Sequence, residues 1–152
     1  MKHAASTLLG LALLGAAAMA QAAPNCTLKL DANDQMQFDK NTATVSAACP
    51  TITVQLTHTG KLPAAVMGHN VVISKTADMT EVTTAAAKAG PAAGYVPQGD
   101  AKVIAATKLV GGGESATAKF AGNKLKPGED YSFFCAVPGH WTVMKGKLVV
   151  TK

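Results

Sequence analysis

The chain has 152 residues, 48% of them hydrophobic and 15% charged, with a formal net charge of +5 and three cysteines. That length suits one domain, and low charge with ordinary apolar content excludes a disordered or solvating chain. All 14 basic residues are lysine; specific nucleic-acid readers depend on arginine for bidentate contacts, so no nucleic-acid partner is expected.

At the N-terminus, Lys2 and His3 precede an apolar run from Leu8 to Ala20, and Ala20-Gln21-Ala22 has the small-residue form of a signal-peptidase site. Residues 1–22 are therefore predicted to be a secretory signal, cut after Ala22, leaving one domain over 23–152. The run is shorter than the roughly 20 apolar residues that a bilayer span needs, so no membrane anchor is expected. Removing the signal leaves 13 lysines against nine acids, a net +4. Export also places the cysteines where a disulfide persists.

The exported part reads as strands and turns. Thr27–Leu30 and Thr42–Ala47 are the first strand candidates, and Thr51–His58 alternates polar and apolar residues with a period of two. Asn70–Ser74, Lys102–Leu109, Ala116–Phe120, Tyr131–Cys135 and Lys147–Thr151 follow, separated by clusters such as Gly111-Gly112-Gly113 and Lys126-Pro127-Gly128. Asp78 with Glu81 three residues on resembles a capping box, and an alanine-rich stretch then runs to Gly90-Pro91, so one helix is predicted between strands. About eight short strands with one helical insertion point to an all-β sandwich or Greek-key barrel.

The cysteines divide into two kinds. Cys26 and Cys49 flank the first strands, and a bridge between them would stabilise the domain by about 3–4 kcal/mol in the chain-entropy account; two buried thiols are the alternative. Cys135 instead opens Cys135-Ala136-Val137-Pro138-Gly139-His140-Trp141-Thr142-Val143-Met144, a C-x4-H-x3-M pattern on a strand end and the loop after it. Thiolate and thioether are soft ligands and imidazole suits copper, so the set favours a Cu(I)/Cu(II) site that needs one more ligand from elsewhere. His58 and His69 are the remaining histidines of the exported chain. His58 is assigned to the polar side of its strand and read as a non-ligand. His69 sits in a turn beside Gly68, which permits close backbone approach, and completes a trigonal set with Cys135 and His140. Met144 is the long axial ligand, with Met67 a competing thioether.

Asn33-Asp34-Gln35-Met36-Gln37-Phe38, Val66-Met67-Gly68-His69-Asn70, Val103-Ile104-Ala105, Thr107-Lys108-Leu109, Phe133-Phe134-Cys135, Pro138-Gly139-His140 and Met144-Lys145-Gly146 resemble the azurins, the periplasmic blue copper proteins of the cupredoxin family. The resemblance covers essentially the whole exported chain. It implies an eight-stranded Greek-key sandwich with a short helical insertion, a periplasmic location, and one type 1 copper held by His69, Cys135, His140 and axial Met144. It further implies a distant contact from the Gly68 carbonyl and a non-ligand histidine, His58, behind the site. Asn70 would tie the ligand loops together, the Val137 amide would donate to the sulfur, and Pro138 would withhold a donor. Around His140 the resemblance places an apolar docking patch of Met36, Leu62, Val66, Met67, Val137, Pro138, Gly139 and Val143. The azurins often carry Thr-Phe where Ala136-Val137 stand here and tryptophan where Val71 stands, whereas the one tryptophan of this chain, Trp141, follows His140.

The implied function is one-electron transport without substrate turnover. Implied partners are redox proteins such as periplasmic cytochromes, nitrite reductase or amine dehydrogenase. Copper storage or delivery and a structural zinc domain compete with it. The former favours a methionine-rich cluster with ready exchange, and the latter favours four strong ligands over a long thioether.

Overall fold

The computed structural model describes residues 23–152; the expected signal, 1–22, lies outside the described residues. Eight strands are present: β1 (Thr27–Ala32), β2 (Thr42–Ser46), β3 (Ile52–His58), β4 (Val72–Lys75), β5 (Ala105–Ala106), β6 (Ser115–Phe120), β7 (Tyr131–Phe134) and β8 (Lys145–Thr151). They form a smaller sheet of order β1-β3-β6 and a larger one of order β2-β8-β7-β4-β5. β1 runs parallel to β3 and β2 parallel to β8, while the other neighbours are antiparallel. Parallel neighbours need crossovers, so the chain passes between sheets rather than meandering within one. This is the predicted all-β sandwich.

The core lies between the sheets. Leu28, Leu30, Val54 and Leu56 of the smaller sheet meet Ile73, Phe133 and Leu148 of the larger. Period-two alternation explains why: Ile52, Val54 and Leu56 point inward, while Gln55 and Thr57 face solvent. β7 breaks that rule because all four of its residues are buried. Tyr131 and Phe133 enter the inter-sheet core, and Phe134 enters a second apolar cluster with Val72, Val82 and Ala86. Val82 and Ala86 belong to a helix over Met79–Ala89, so β7 is covered on both faces. Cys26 and Cys49 are bridged, with Cα atoms 5.6 Å apart, and link the start of β1 to the turn before β3.

Three local expectations are corrected. The strand expected over Lys102–Leu109 pairs only at Ala105–Ala106, because the Asp100 carboxylate and carbonyl take the amides of Lys102 and Val103 and hold a turn there. Asp78 does not cap the helix with its side chain; a single-turn helix over Thr76–Asp78 already gives it helical dihedrals, and Glu81 pairs with Lys102 instead. His58 is not on the polar side of β3. It shares the inward parity of Ile52, Val54 and Leu56 and is fully buried. Besides the helix over Met79–Ala89, hereafter α2, a one-turn helix α1 (Ala64–Met67) leads into the Gly68-His69 segment. Among the described residues, no helix is long and apolar enough to cross a membrane.

Candidate metal centre

His69 is fixed from three sides. Its backbone amide and carbonyl both bond to Val110, each at 2.9 Å. Its ring Nε2 donates to the Asn33 carbonyl at 2.8 Å, which leaves the lone pair on Nδ1. The ring also stacks on His58, with centroids 4.7 Å apart and planes 22° apart. Gly68 precedes it with ordinary extended dihedrals, and its lack of a side chain answers a different need. A Cβ there would lie 2.4 Å from the Ala64 carbonyl oxygen and 3.1 Å from Leu109 Cγ. α1 packs onto the Gly68 backbone, and that contact brings His69 inward.

Cys135 follows β7 directly, and its amide donates to the Met144 carbonyl at 3.0 Å, closing the loop between them. Within the loop, Gly139 takes φ +84°, a left-handed turn suited to glycine, and starts the short helix His140–Thr142. The His140 amide bonds to Val137 O at 3.0 Å and the Met144 amide to His140 O at 2.7 Å. Four potential donors are thereby set by ten residues of hydrogen-bonded chain and one anchored turn.

His69 Nδ1, His140 Nδ1 and Cys135 Sγ converge. The two nitrogens are 3.2 Å apart, and the sulfur lies 3.8 Å from His69 and 3.6 Å from His140. Donors spread trigonally about one ion, at about 2.0 Å for nitrogen and 2.3 Å for sulfur, stand about 3.5–3.7 Å apart. The observed triangle fits a single ion. Its donor chemistry, two imidazoles and one thiolate with a buried thioether on the same loop, is that of copper.

Burial sets the protonation state of each donor. Burial pushes the Cys135 thiol up to about 11, opposed by the backbone amides of Asn70 and Val137. Burial lowers His69 to about 4, against the support of the Asn33 carbonyl, and also lowers His140. Both rings are thus neutral near pH 7, the form in which imidazole binds metal.

The surrounding residues divide clearly. Asn70 is fully buried; its Oδ1 accepts from the Ala136 amide and its Nδ2 donates to the Gly94 carbonyl, both at 2.8 Å. It joins the His69 turn to the Cys135 loop. His58 lies outside the donor triangle: Nε2 donates to the Met67 carbonyl at 2.8 Å and Nδ1 accepts from the Gly60 amide at 3.0 Å. Pro138 and Gly139 are exposed at the loop tip, and Val137 and Met67 are half-buried. Met36, Leu62, Val66 and Val143, all from the docking set, are the exposed large hydrophobic residues of the described chain. Trp141 packs against the α2 cluster, with the Lys145 ammonium 5.9 Å above its ring.

Sequence reasoning anticipated the Val137 amide at the sulfur but missed two other backbone groups. The Asn33 carbonyl, 36 positions from His69, and the Asn70 amide have no side-chain signature of their role. The one trace of the former is that Asn33 opens a stretch shared with the azurins.

Residues 24–151 match the family described as copper binding proteins of the plastocyanin/azurin family. The chain is 50% identical over 123 residues to azurin of Alcaligenes faecalis, covering 81% of this chain and 96% of that protein. It is 48% identical over 139 residues to azurin of Bordetella pertussis, covering 91% and 93% respectively. It is 49% identical over 125 residues to azurin of Pseudomonas denitrificans, covering 82% and 98%. A β-sandwich with a buried His-Cys-His triangle thus belongs to the plastocyanin/azurin family of copper-binding proteins, and its cofactor is one type 1 copper.

Proposed function

We propose that the chain is a periplasmic one-electron carrier whose copper is held by His69 Nδ1, His140 Nδ1 and Cys135 Sγ. Met144 would add its buried thioether as a weak further ligand, and the Gly68 carbonyl would be a distant contact. The observation that carries this reading is the buried triangle of two imidazole nitrogens and one sulfur, 3.2–3.8 Å on its sides. Bound there, copper supplies a Cu(I)/Cu(II) couple.

The protein's part is to hold that set still and to present one edge of it. Asn70, the Val110 pairing and the Cys135–Met144 closure fix the donors, so little rearrangement opposes a change of charge. Amides aimed at the sulfur stabilise the thiolate, and hydrogen bonding there is one control on the potential. Pro138 has no amide to add. His69, Cys135 and Met144 are fully buried, whereas His140 is 9% exposed, so His140 is the edge a partner meets. Met36, Leu62, Val66, Met67, Val137, Pro138, Gly139 and Val143 form the docking patch around it. Patches of this kind suit brief redox encounters. An excess of lysines steers acidic partners toward the protein and is screened by salt. Periplasmic cytochromes, nitrite reductase and amine dehydrogenases are the partner classes.

The protein turns over no substrate, because its own side chains take the coordination positions. The signal over 1–22 is removed after Ala22, leaving the copper domain 23–152. A visible spectrum of the Cu(II)-loaded protein tests the assignment: an intense blue band is expected, and a colourless fully loaded protein would refute it. Cys135→Ser should abolish the band. Val143→Asp should slow electron transfer with an acidic redox partner and leave the band unchanged.

A further inference from the structure

The loop before β2 touches the metal centre from behind. Asn33 supplies the carbonyl that holds His69 Nε2, and its side-chain oxygen accepts from the amides of Gln35 and Gln37, folding the loop on itself. Met36, at the loop tip, is held at φ +55°, an unfavourable region for a non-glycine residue. Such a conformation persists only where its surroundings enforce it.

Asp34 ties this loop to the neighbouring turn. Its carboxylate crosses to the turn after β3 and accepts from the Lys61 amide at 2.8 Å and the Leu62 amide at 3.3 Å. The fit around it is close: a Cβ on Gly60 would lie 2.2 Å from Asp34 Oδ1. The same oxygen is 3.8 Å from Nε2 of His58, and His58 stacks on His69. Asp34 is also the carboxylate whose field reaches His69. Both loops that it joins carry apolar docking residues, Met36 on one and Leu62 on the other.

Resting on the copper assignment above, we propose that Asp34 is a positioning and potential-setting residue of the metal centre. It clamps the 33–37 loop to the Gly60–Leu62 turn so that the Asn33 carbonyl stays on His69. From behind the stacked His58 and His69 rings, its negative charge favours Cu(II) over Cu(I). No contact with the ion itself is involved. A negative charge inside a partly dry shell acts on its neighbours more strongly than one in water.

The test uses the full copper-loaded chain. Asp34→Asn keeps an acceptor and the side-chain shape and removes the charge, so the Cu(I):Cu(II) ratio at a fixed external potential should rise several-fold with the blue band retained. Asp34→Glu, which returns the charge, should bring the ratio back toward wild type. Gly60→Ala keeps the charge but displaces the carboxylate, and should speed solvent exchange of the His69 Nε2 proton, read by NMR on the diamagnetic Cu(I)-loaded protein. An Asp34→Asn ratio equal to wild type overturns the charge role, and unchanged exchange in Gly60→Ala overturns the clamp. If Asp34→Asn does not fold, the Gly60→Ala ratio decides, because displacement of the charge should move it in the same direction. Failure of the underlying copper reading is distinct, since wild type itself would then show no blue band.

Discussion

Asn70 has no solvent contact and gives both ends of its amide to the backbone, one to Ala136 beside the ligand cysteine and one to Gly94 in the segment after α2. Replacing it with alanine leaves the Ala136 N–H and the Gly94 carbonyl buried without their partner. Each orphaned group costs about 1–3 kcal/mol, so a loss of about 2–6 kcal/mol is expected, with the cavity pushing it toward the upper end. For a domain of this size that corresponds to a fall in melting temperature of about 7–22 °C. Urea unfolding of the copper-free protein measures it directly, with the midpoint moving and the slope unchanged. Asn70→Asp separates the two bonds, since it keeps the acceptor toward Ala136 and places an oxygen against the Gly94 carbonyl. A loss below about 1 kcal/mol in Asn70→Ala would show that water replaces both bonds, and the argument that Asn70 couples the two ligand segments would fall.

Gly68→Ala should weaken copper binding at least tenfold by competition with a chelator, because its Cβ cannot coexist with the Ala64 carbonyl and His69 must shift; wild-type affinity would contradict this. Copper uptake at pH 7 should release about one proton per ion in a weakly buffered titration, since burial keeps the Cys135 thiol protonated and both ligand histidines neutral. The sign is definite: His69 takes up a proton only as pH falls toward about 4, so metal affinity drops at the acidic end. Replacing Cys26 and Cys49 together by serine should cost about 3 kcal/mol in the same urea assay without altering the blue band, because the bridge lies away from the donor triangle.

Much of this molecule is legible from residue order, and the exceptions have physical causes. β3 announces itself through strict alternation, and the C-x4-H-x3-M spacing carries three donors within one loop. His58 follows the same alternation to its end, so parity alone places it inside; its polarity obscures this, and two backbone bonds to Met67 and Gly60 make its burial affordable. The edge strand at Ala105–Ala106 is shorter than its composition suggests because Asp100 competes for the amides just before it. His69 could be picked out as a ligand from its neighbours, but the Asn33 carbonyl that orients it could not, since every residue carries a carbonyl. Long-range backbone contacts of this kind depend on how the sheets pack, which local pattern does not encode.

The closure of the Cys135 loop by the Met144 carbonyl has a consequence for where the metal comes from. The bonds that hold the donor loop lie within the chain itself, in contrast to small zinc domains that collapse only around their metal. A receptacle held by the chain's own bonds accepts any divalent ion that tolerates its shape. Occupancy by copper then follows from copper's place at the top of the Irving–Williams series and from what the compartment supplies. Protein made in zinc-rich, copper-poor medium should therefore emerge folded and colourless, and turn blue when copper displaces the resident ion.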